Sequence, residues 1–417
     1  MFLLRKLQEK YPFPALVWYI IVETALVRIA FFMTMPFVAL RMSDTSGTSA
    51  TWIGAVIGLG PLVATIIGFY IGHLSDLWGR RRIIFLAMMA LAVTFFGFSM
   101  ASTPLEFAFL MGLSGLSRGG FGPVSTALLS DLCSQEDESG KLQESAFHLR
   151  YYAINIGAAI GPLIGATFLH YRPTLGFQIA SLVYLVSAFL FLFFSNRWGL
   201  KQSEQSKKRP THSIREVMKV LTSDRVLLLY LMAFFCTSVA YSQIDTTLTL
   251  YLKERFGAKG VTLFAGLLSC NGLIVVLFTL PLLSWTKRFN INKSCAISSV
   301  VWGVGFIGMG LAIVPYHFFI AMVVVTLGEI VVFANGYLVI EALAPEDMKG
   351  AYLGTTNLGQ VGVVVGPMIG GALLESGSGS LVFYSMGGLM CCTGILYFLA
   401  YKGSQKRLAE AAQEAKE

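Results

Sequence analysis

Charge is scarce in this 417-residue chain. Asp, Glu, Lys and Arg make up 13% of it, about half their share in a soluble globular domain. Long polar runs are nearly absent too. The stretch from Asn196 to Arg225 is the one extended polar interruption. The five histidines are scattered, with no helix-spaced pair, and none of the six cysteines forms a CxxC pair. These absences speak against a metal cofactor, a redox centre and a nucleophile-based enzyme. The formal net charge of +8 is modest, and its lysines and arginines sit mostly in short loops, which argues against a nucleic-acid partner. No cleavable leader is expected. Met1 to Trp18 mixes polar and apolar residues and no small-residue cleavage site follows, so the first apolar stretch should persist as a helix.

Apolar residues are abundant: 55% of the chain, with a mean hydropathy of +0.68. A membrane-spanning helix needs about 20 predominantly apolar residues. Twelve such spans are predicted, near 15–40, 52–75, 83–102, 104–131, 143–170, 174–195, 226–251, 262–284, 294–313, 316–343, 350–375 and 380–401. The third and fourth are divided only by Ser102 to Leu105. Placing the N-terminus in the cytoplasm puts 24 Lys/Arg inside and 5 outside, so both termini are expected to be cytoplasmic. The fold expected is all-α, with residues 1–195 and 226–401 as two six-helix bundles, 196–225 as a cytoplasmic linker and 402–417 as a cytoplasmic tail. The basic run Lys207-Lys208-Arg209 in the linker suits orientation and contact with lipid headgroups.

The two bundles look like copies. Gly157-Ala-Ala-Ile-Gly161-Pro162-Leu-Ile-Gly165 recurs as Gly362-Val-Val-Val-Gly366-Pro367-Met-Ile-Gly370-Gly371, 205 residues later. Upstream, Asp131…Glu136-Asp137…Gly140 matches Glu341…Glu346-Asp347…Gly350 at an offset of 210. Glycines spaced by four lie on one helix face and let a neighbour approach closely. The proline removes a helix hydrogen bond and permits a bend. Two copies on corresponding helices imply a duplicated six-helix unit, an arrangement that places a substrate site at mid-membrane.

Between the second and third spans stands Gly72-His-Leu-Ser-Asp76-Leu-Trp-Gly79-Arg80-Arg81-Arg82. A positive-inside anchor accounts for the arginines but not for the glycines and the acid around them. This loop resembles the signature G-x-L-x-D-x-x-G-R-[RK]-x of the major facilitator superfamily. The Gly-Pro repeat in the fifth span and Leu116-Ser-Arg118-Gly-Gly-Phe-Gly122 in the fourth resemble two further motifs of its twelve-helix drug/proton antiporters. The resemblance implies that Asp76 contacts the start of the eleventh span in one state and that the loop arginines pair with Asp131, a lock that opens in the other state. The corresponding second-half segment, Leu283-Ser-Trp285-Thr-Lys287-Arg288, has Trp285 where the acid should stand, so the switch is predicted to be one-sided.

Ionisable groups within a span are costly and therefore candidates for function. Glu23 and Arg28 share the first span but are rotated about 140° apart, so each should meet other helices. Arg118 sits deep in the fourth span, where the resemblance implies proton coupling; a bond to the first span, through Glu23, is the structural alternative. Asp245 and Glu329 are the leading proton carriers, since an apolar cavity favours the protonated carboxyl. Glu329 would also attract a cation. Arg150, Tyr151, Asn155, Asn357 and Gln360 are candidate cavity-facing groups. The expected function is a proton-driven exporter of amphiphilic or cationic small molecules, monomeric, multi-pass, in a bacterial cytoplasmic membrane. It is expected to use the proton gradient and no cofactor, with protons, lipids and small molecules as its only partners. The alternative is a proton-coupled transporter of peptides, another polar metabolite or a lipid. The Tyr-Tyr-x-x-Asn-x-Gly run at Tyr151 resembles one found in peptide/proton symporters and in some exporters, whereas the first span lacks the second acid that peptide symporters usually carry there.

Overall fold

A computed structural model describes residues 12–136, 141–197, 223–286, 288–343, 355, 359 and 361–414. Among these, all regular structure is helical. The helices are α1 (Ala15–Thr34), α2 (Val38–Ser46), α3 (Ala50–Trp78), α4 (Arg80–Met100), α5 (Pro104–Ser134), α6 (Lys141–Tyr171) and α7 (Leu175–Arg197), then α8 (Arg225–Asp245), α9 (Thr247–Phe256), α10 (Ala258–Thr286), α11 (Ile291–Leu311), α12 (Pro315–Leu343), α13 (Val361–Glu375) and α14 (Gly379–Glu414).

Local chemistry sets several boundaries. The first span is not one helix: α1 passes through a 3-10 turn, Met35–Phe37, before α2, because Pro36 cannot donate to a helical ladder. The seventh span likewise breaks, at Thr246 between α8 and α9. The brief gap between the third and fourth spans is a true break. Thr103 Oγ1 accepts from Glu106 N at 3.3 Å, and Glu106 Oε2 accepts from Thr103 N at 3.1 Å, a reciprocal cap for α5. Asp224 caps α8 by accepting from Val226 N and Leu227 N, both at 3.0 Å. Gly79 alone separates α3 from α4, at φ 85°, a left-handed conformation that a side chain disfavours.

Ten helical segments of the described chain are long and apolar enough to cross a membrane. α5 has the length, but its glycines, serines and Arg118 dilute its apolarity. α13 covers only part of the eleventh span, because residues 344–354, 356–358 and 360 lie outside the described set. Asn357, Gln360 and most of the polar linker lie outside it too.

The chain divides into two compact units. The first holds residues 1–48, 59–207 and 256–272; the second holds 49–58, 208–255 and 273–417. The boundaries differ from a plain cut at the linker: the first turns of α3 group with the second half, and the first turns of α10 with the first. Inside each unit the same helix pairings recur. α1 packs on α6 and α7, and α4 on α5 and α7; correspondingly α8 packs on α13 and α14, and α11 on α12 and α14. The repeated glycines make two of these contacts. A Cβ on Gly157 would come within 2.6 Å of the Arg28 Cβ on α1. A Cβ on Gly362 would collide with the Phe235 carbonyl on α8. Duplicated sequence has therefore produced duplicated packing, α6 on α1 and α13 on α8.

Candidate functional site

The first unit carries a group of ionisable side chains inside its helices. Glu23, midway along α1, is 5% exposed, and its Oε1 has no hydrogen-bond partner. Arg150 on α6 is 7% exposed. It donates to Thr126 Oγ1 at 2.8 Å and Ser125 Oγ at 3.3 Å on α5, leaving its Nε unpartnered. Glu23 and Arg150 are coupled electrostatically without a direct ion pair. Arg150, a cavity-facing candidate by sequence, is thus a buried group of the helix interior.

Arg28 on α1 and Arg118 on α5 share one aromatic ring. Their guanidinium carbons lie 5.8 and 5.5 Å from the centroid of Phe31, within cation–π range. The two arginines interact with each other and with Tyr184 on α7, and Arg28 also interacts with Arg150. Tyr184 donates its hydroxyl to the Val27 carbonyl at 3.1 Å. The Arg118 Nε is buried and has no partner. The structure therefore differs from a bond between Arg118 and Glu23: Glu23 faces Arg150, and Arg118 faces Arg28. Nearby on α6, Asn155 donates to the Tyr151 carbonyl at 2.9 Å, so its amide serves its own helix. Tyr151 is exposed.

In the second unit Glu329 is 8% exposed and lies midway along α12. An aromatic group adjoins it. The Tyr241 ring lies 5.1 Å from Phe333 and 6.3 Å from Trp302, and Trp302 lies 5.7 Å from Phe333. Phe333 shares the helix face of Glu329, one turn on. Gly328 abuts the Trp302 backbone. Asp245 ends α8, half-buried, and has no ion-pair or hydrogen-bond partner among the described residues. Asp245 at the end of α8 and Glu329 midway along α12 thus stand on helices that pack together.

At the α3–α4 corner, Arg80 pairs directly with Asp131 of α5 and donates to the Ala127 carbonyl at 2.8 Å. Arg82 is exposed and Arg81 half-buried. Gly72 and Asp76 belong to α3; the Asp76 side chain, and the start of the eleventh span it was expected to meet, lie outside the described residues.

The profile of the Major Facilitator Superfamily matches residues 21–360. The chain belongs to this superfamily. It is a multi-pass membrane transporter and not an enzyme. It is 29% identical over 399 residues to the uncharacterized MFS-type transporter YqjV of Bacillus subtilis (strain 168), covering 94% of each chain. It is 26% identical over 410 residues to a Na(+), Li(+), K(+)/H(+) antiporter of Planococcus maritimus, covering 91% of this chain and 94% of that one. Multidrug resistance protein MdtH of Salmonella arizonae is 24% identical over 362 residues, 86% of each. Among solved structures, the nucleoside transporter NupG superposes with a TM-score of 0.77 at 14% identity, covering 93% of this chain and 100% of that one. That likeness is one of fold.

Several residues of this transporter's interior belong to no motif. Phe31, Tyr184, Ser125 and Thr126 organise the arginines, yet nothing in their spacing marks them. Gln243 had a readable signal, an amide inside an apolar helix. It is fully buried and donates to the Val239 and Gly366 carbonyls, each at 2.9 Å, while accepting from Thr247 Oγ1 at 2.6 Å. It thus ties α8 to the Gly366-Pro367 bend of α13. Gln243→Leu should cost about 1–3 kcal/mol, because the amide bonds vanish and buried polar atoms lose their partners. The check is a fall of several degrees in the unfolding midpoint in detergent. The Arg80–Asp131 pair is about a third exposed, so its coupling should be only about 1 kcal/mol. A double-mutant cycle with Arg80→Gln and Asp131→Asn measures it.

Proposed function

We propose that this transporter is a proton-driven exporter of amphiphilic, cationic small molecules, working by alternating access in a bacterial cytoplasmic membrane with both termini inside. The observation that carries the reading is Glu329, a carboxylate buried at the middle of α12 with Tyr241, Trp302 and Phe333 grouped beside it. A carboxylate one helical turn from an aromatic cluster suits a large, weakly hydrated cation better than a hydrophilic anion. Desolvation makes the same carboxyl a proton carrier, so cation binding and proton release compete for one group. Asp245 provides a second proton station on α8. The antiporter and multidrug names of its relatives agree with this direction and coupling. The Arg80–Asp131 contact is assigned the role of a conformational lock that opens during the cycle.

The test uses purified protein in proteoliposomes with an imposed pH gradient. A lipophilic cationic dye should move against the proton flow and stop when the gradient is collapsed. Uptake of a peptide driven by protons moving the same way would replace export with symport. Dye movement indifferent to the gradient would remove the proton coupling.

A further inference from the structure

Among the described residues, the helices of the first unit bury more positive charge than their acids match. Arg28 interacts there with both Arg118 and Arg150, and Glu23, beside Arg150, is the one carboxylate among the described residues that acts on any of the three. Glu23 faces Arg150, which also has two hydroxyl partners. That leaves Arg28 and Arg118 with no acid beside them among the described residues, on one aromatic ring, each within the other's field. Mutual repulsion of two guanidiniums inside apolar helices is unfavourable, and an aromatic ring with a tyrosine hydroxyl offsets only part of it. Donors aimed at no protein partner mark the same place: Nε of Arg118 and Nε of Arg150 are buried without hydrogen bonds. Arg28 and Arg118 are themselves partly accessible, so the pair reaches a surface that a ligand can approach. Such an array is what a missing anion leaves behind.

We infer that Arg28 and Arg118, with Arg150 at their flank, form a docking point for a delocalised oxyanion, a carboxylate or a phosphate. The planar guanidinium matches the two oxygens of such a group, which lysine does not. Phe31 would hold both arginines in place and give the apolar part of the ligand a ring to lie on. The site is separate from the cation reading of Glu329 and depends on the transport reading only for where the anion comes from. The anion is either an acidic group carried by a soluble solute or the headgroup of an acidic lipid.

The test measures binding without any gradient. Protein in a neutral detergent receives sodium phosphate, sodium succinate or phosphatidylglycerol, with chloride at equal ionic strength as control, and its thermal midpoint is followed. At least one probe should raise the midpoint saturably beyond chloride. Arg118→Gln should weaken that response at least tenfold, and Arg118→Lys should recover only part of it. A response to phosphate or succinate identifies a soluble anion as the source; a response to phosphatidylglycerol alone identifies a lipid headgroup. If the variants fold poorly, the wild type decides: phenylglyoxal should modify Arg28 and Arg118 more slowly when the active probe is present. No probe exceeding chloride, or a Gln variant that binds as the wild type does, overturns the inference. Glu329→Gln should leave this binding unchanged while losing dye efflux, so the two readings fail separately.

Discussion

Glu329→Gln should cut gradient-driven efflux of a cationic dye at least tenfold, with the protein folded and inserted normally. The substitution keeps size and hydrogen-bonding capacity and removes the charge. Glu329 is 8% exposed in the middle of α12, so its field is weakly screened. At about 4 Å and an effective dielectric near 20, one unit charge attracts another by about 4 kcal/mol. Part of that is spent in desolvating the cation. What remains covers at least the 1.4 kcal/mol that a tenfold change requires. The variant also lacks a titratable group, so residual transport should respond little to the gradient. Glu329→Asp should retain coupling at a lower rate, because the charge persists but withdraws by about one methylene. Asp245→Asn should have the smaller effect, since Asp245 is half-buried at the end of α8, whereas Glu329 is buried midway along α12. Transport assays in proteoliposomes, with protein amounts matched, make the comparison. Full efflux by Glu329→Gln removes this carboxylate from the mechanism and with it the carrying observation for a cation exporter.

Much of the architecture was readable because bilayer physics acts along the sequence. Apolar runs long enough to span mark themselves, and a Gly-Pro repeat at fixed offset marks duplication. The structure turns that repeat into matched contacts, α6 on α1 and α13 on α8. Breaks in the first and seventh spans were less legible. Pro36 was visible, but whether a proline bends, kinks or interrupts depends on what packs around it. The pairing inside the first unit was not legible at all. Glu23, Arg28 and Arg118 stood out as charges in apolar segments, yet their partners depend on how α1, α5 and α6 are rotated about their own axes. A helical period gives the relative faces of one helix, not the face its neighbour presents. Hence Arg150 stood out as a cavity-facing candidate but not as a neighbour of Glu23, and nothing in the sequence marked Phe31 or Tyr184. Packing makes Phe31 a shared seat for two guanidiniums.

Gly161→Val should remove almost all folded transporter from the membrane, whereas Gly122→Ala should be silent. Both are helix-interior glycines beside a motif residue, and helix propensity alone would favour either change, since glycine is the poorer helix former. Their surroundings decide. A Cβ on Gly161 would sit 2.8 Å from the Phe32 Cβ, 2.9 Å from the Ile29 carbonyl oxygen and 2.9 Å from the Met33 nitrogen. Two of these neighbours are backbone and cannot rotate away. A Cβ on Gly122 meets nothing within 4 Å. Valine adds two methyls beyond that Cβ, so α6 would have to stand off from α1 along the whole face that Gly157 and Gly165 also keep close. In a bilayer there is no hydrophobic force to press the helices back together, because lipid is as apolar as the side chains it replaces. Overpacking typically costs about 1–3 kcal/mol at one site, and the shift would also draw Arg150 on α6 away from Glu23 on α1. Membrane expression and size-exclusion behaviour in mild detergent read out the first effect. A monodisperse Gly161→Val protein at wild-type yield would show that α6 and α1 are not held by this contact. The close approach of α6 would then be a consequence of the fold, and the glycine repeat would need another explanation.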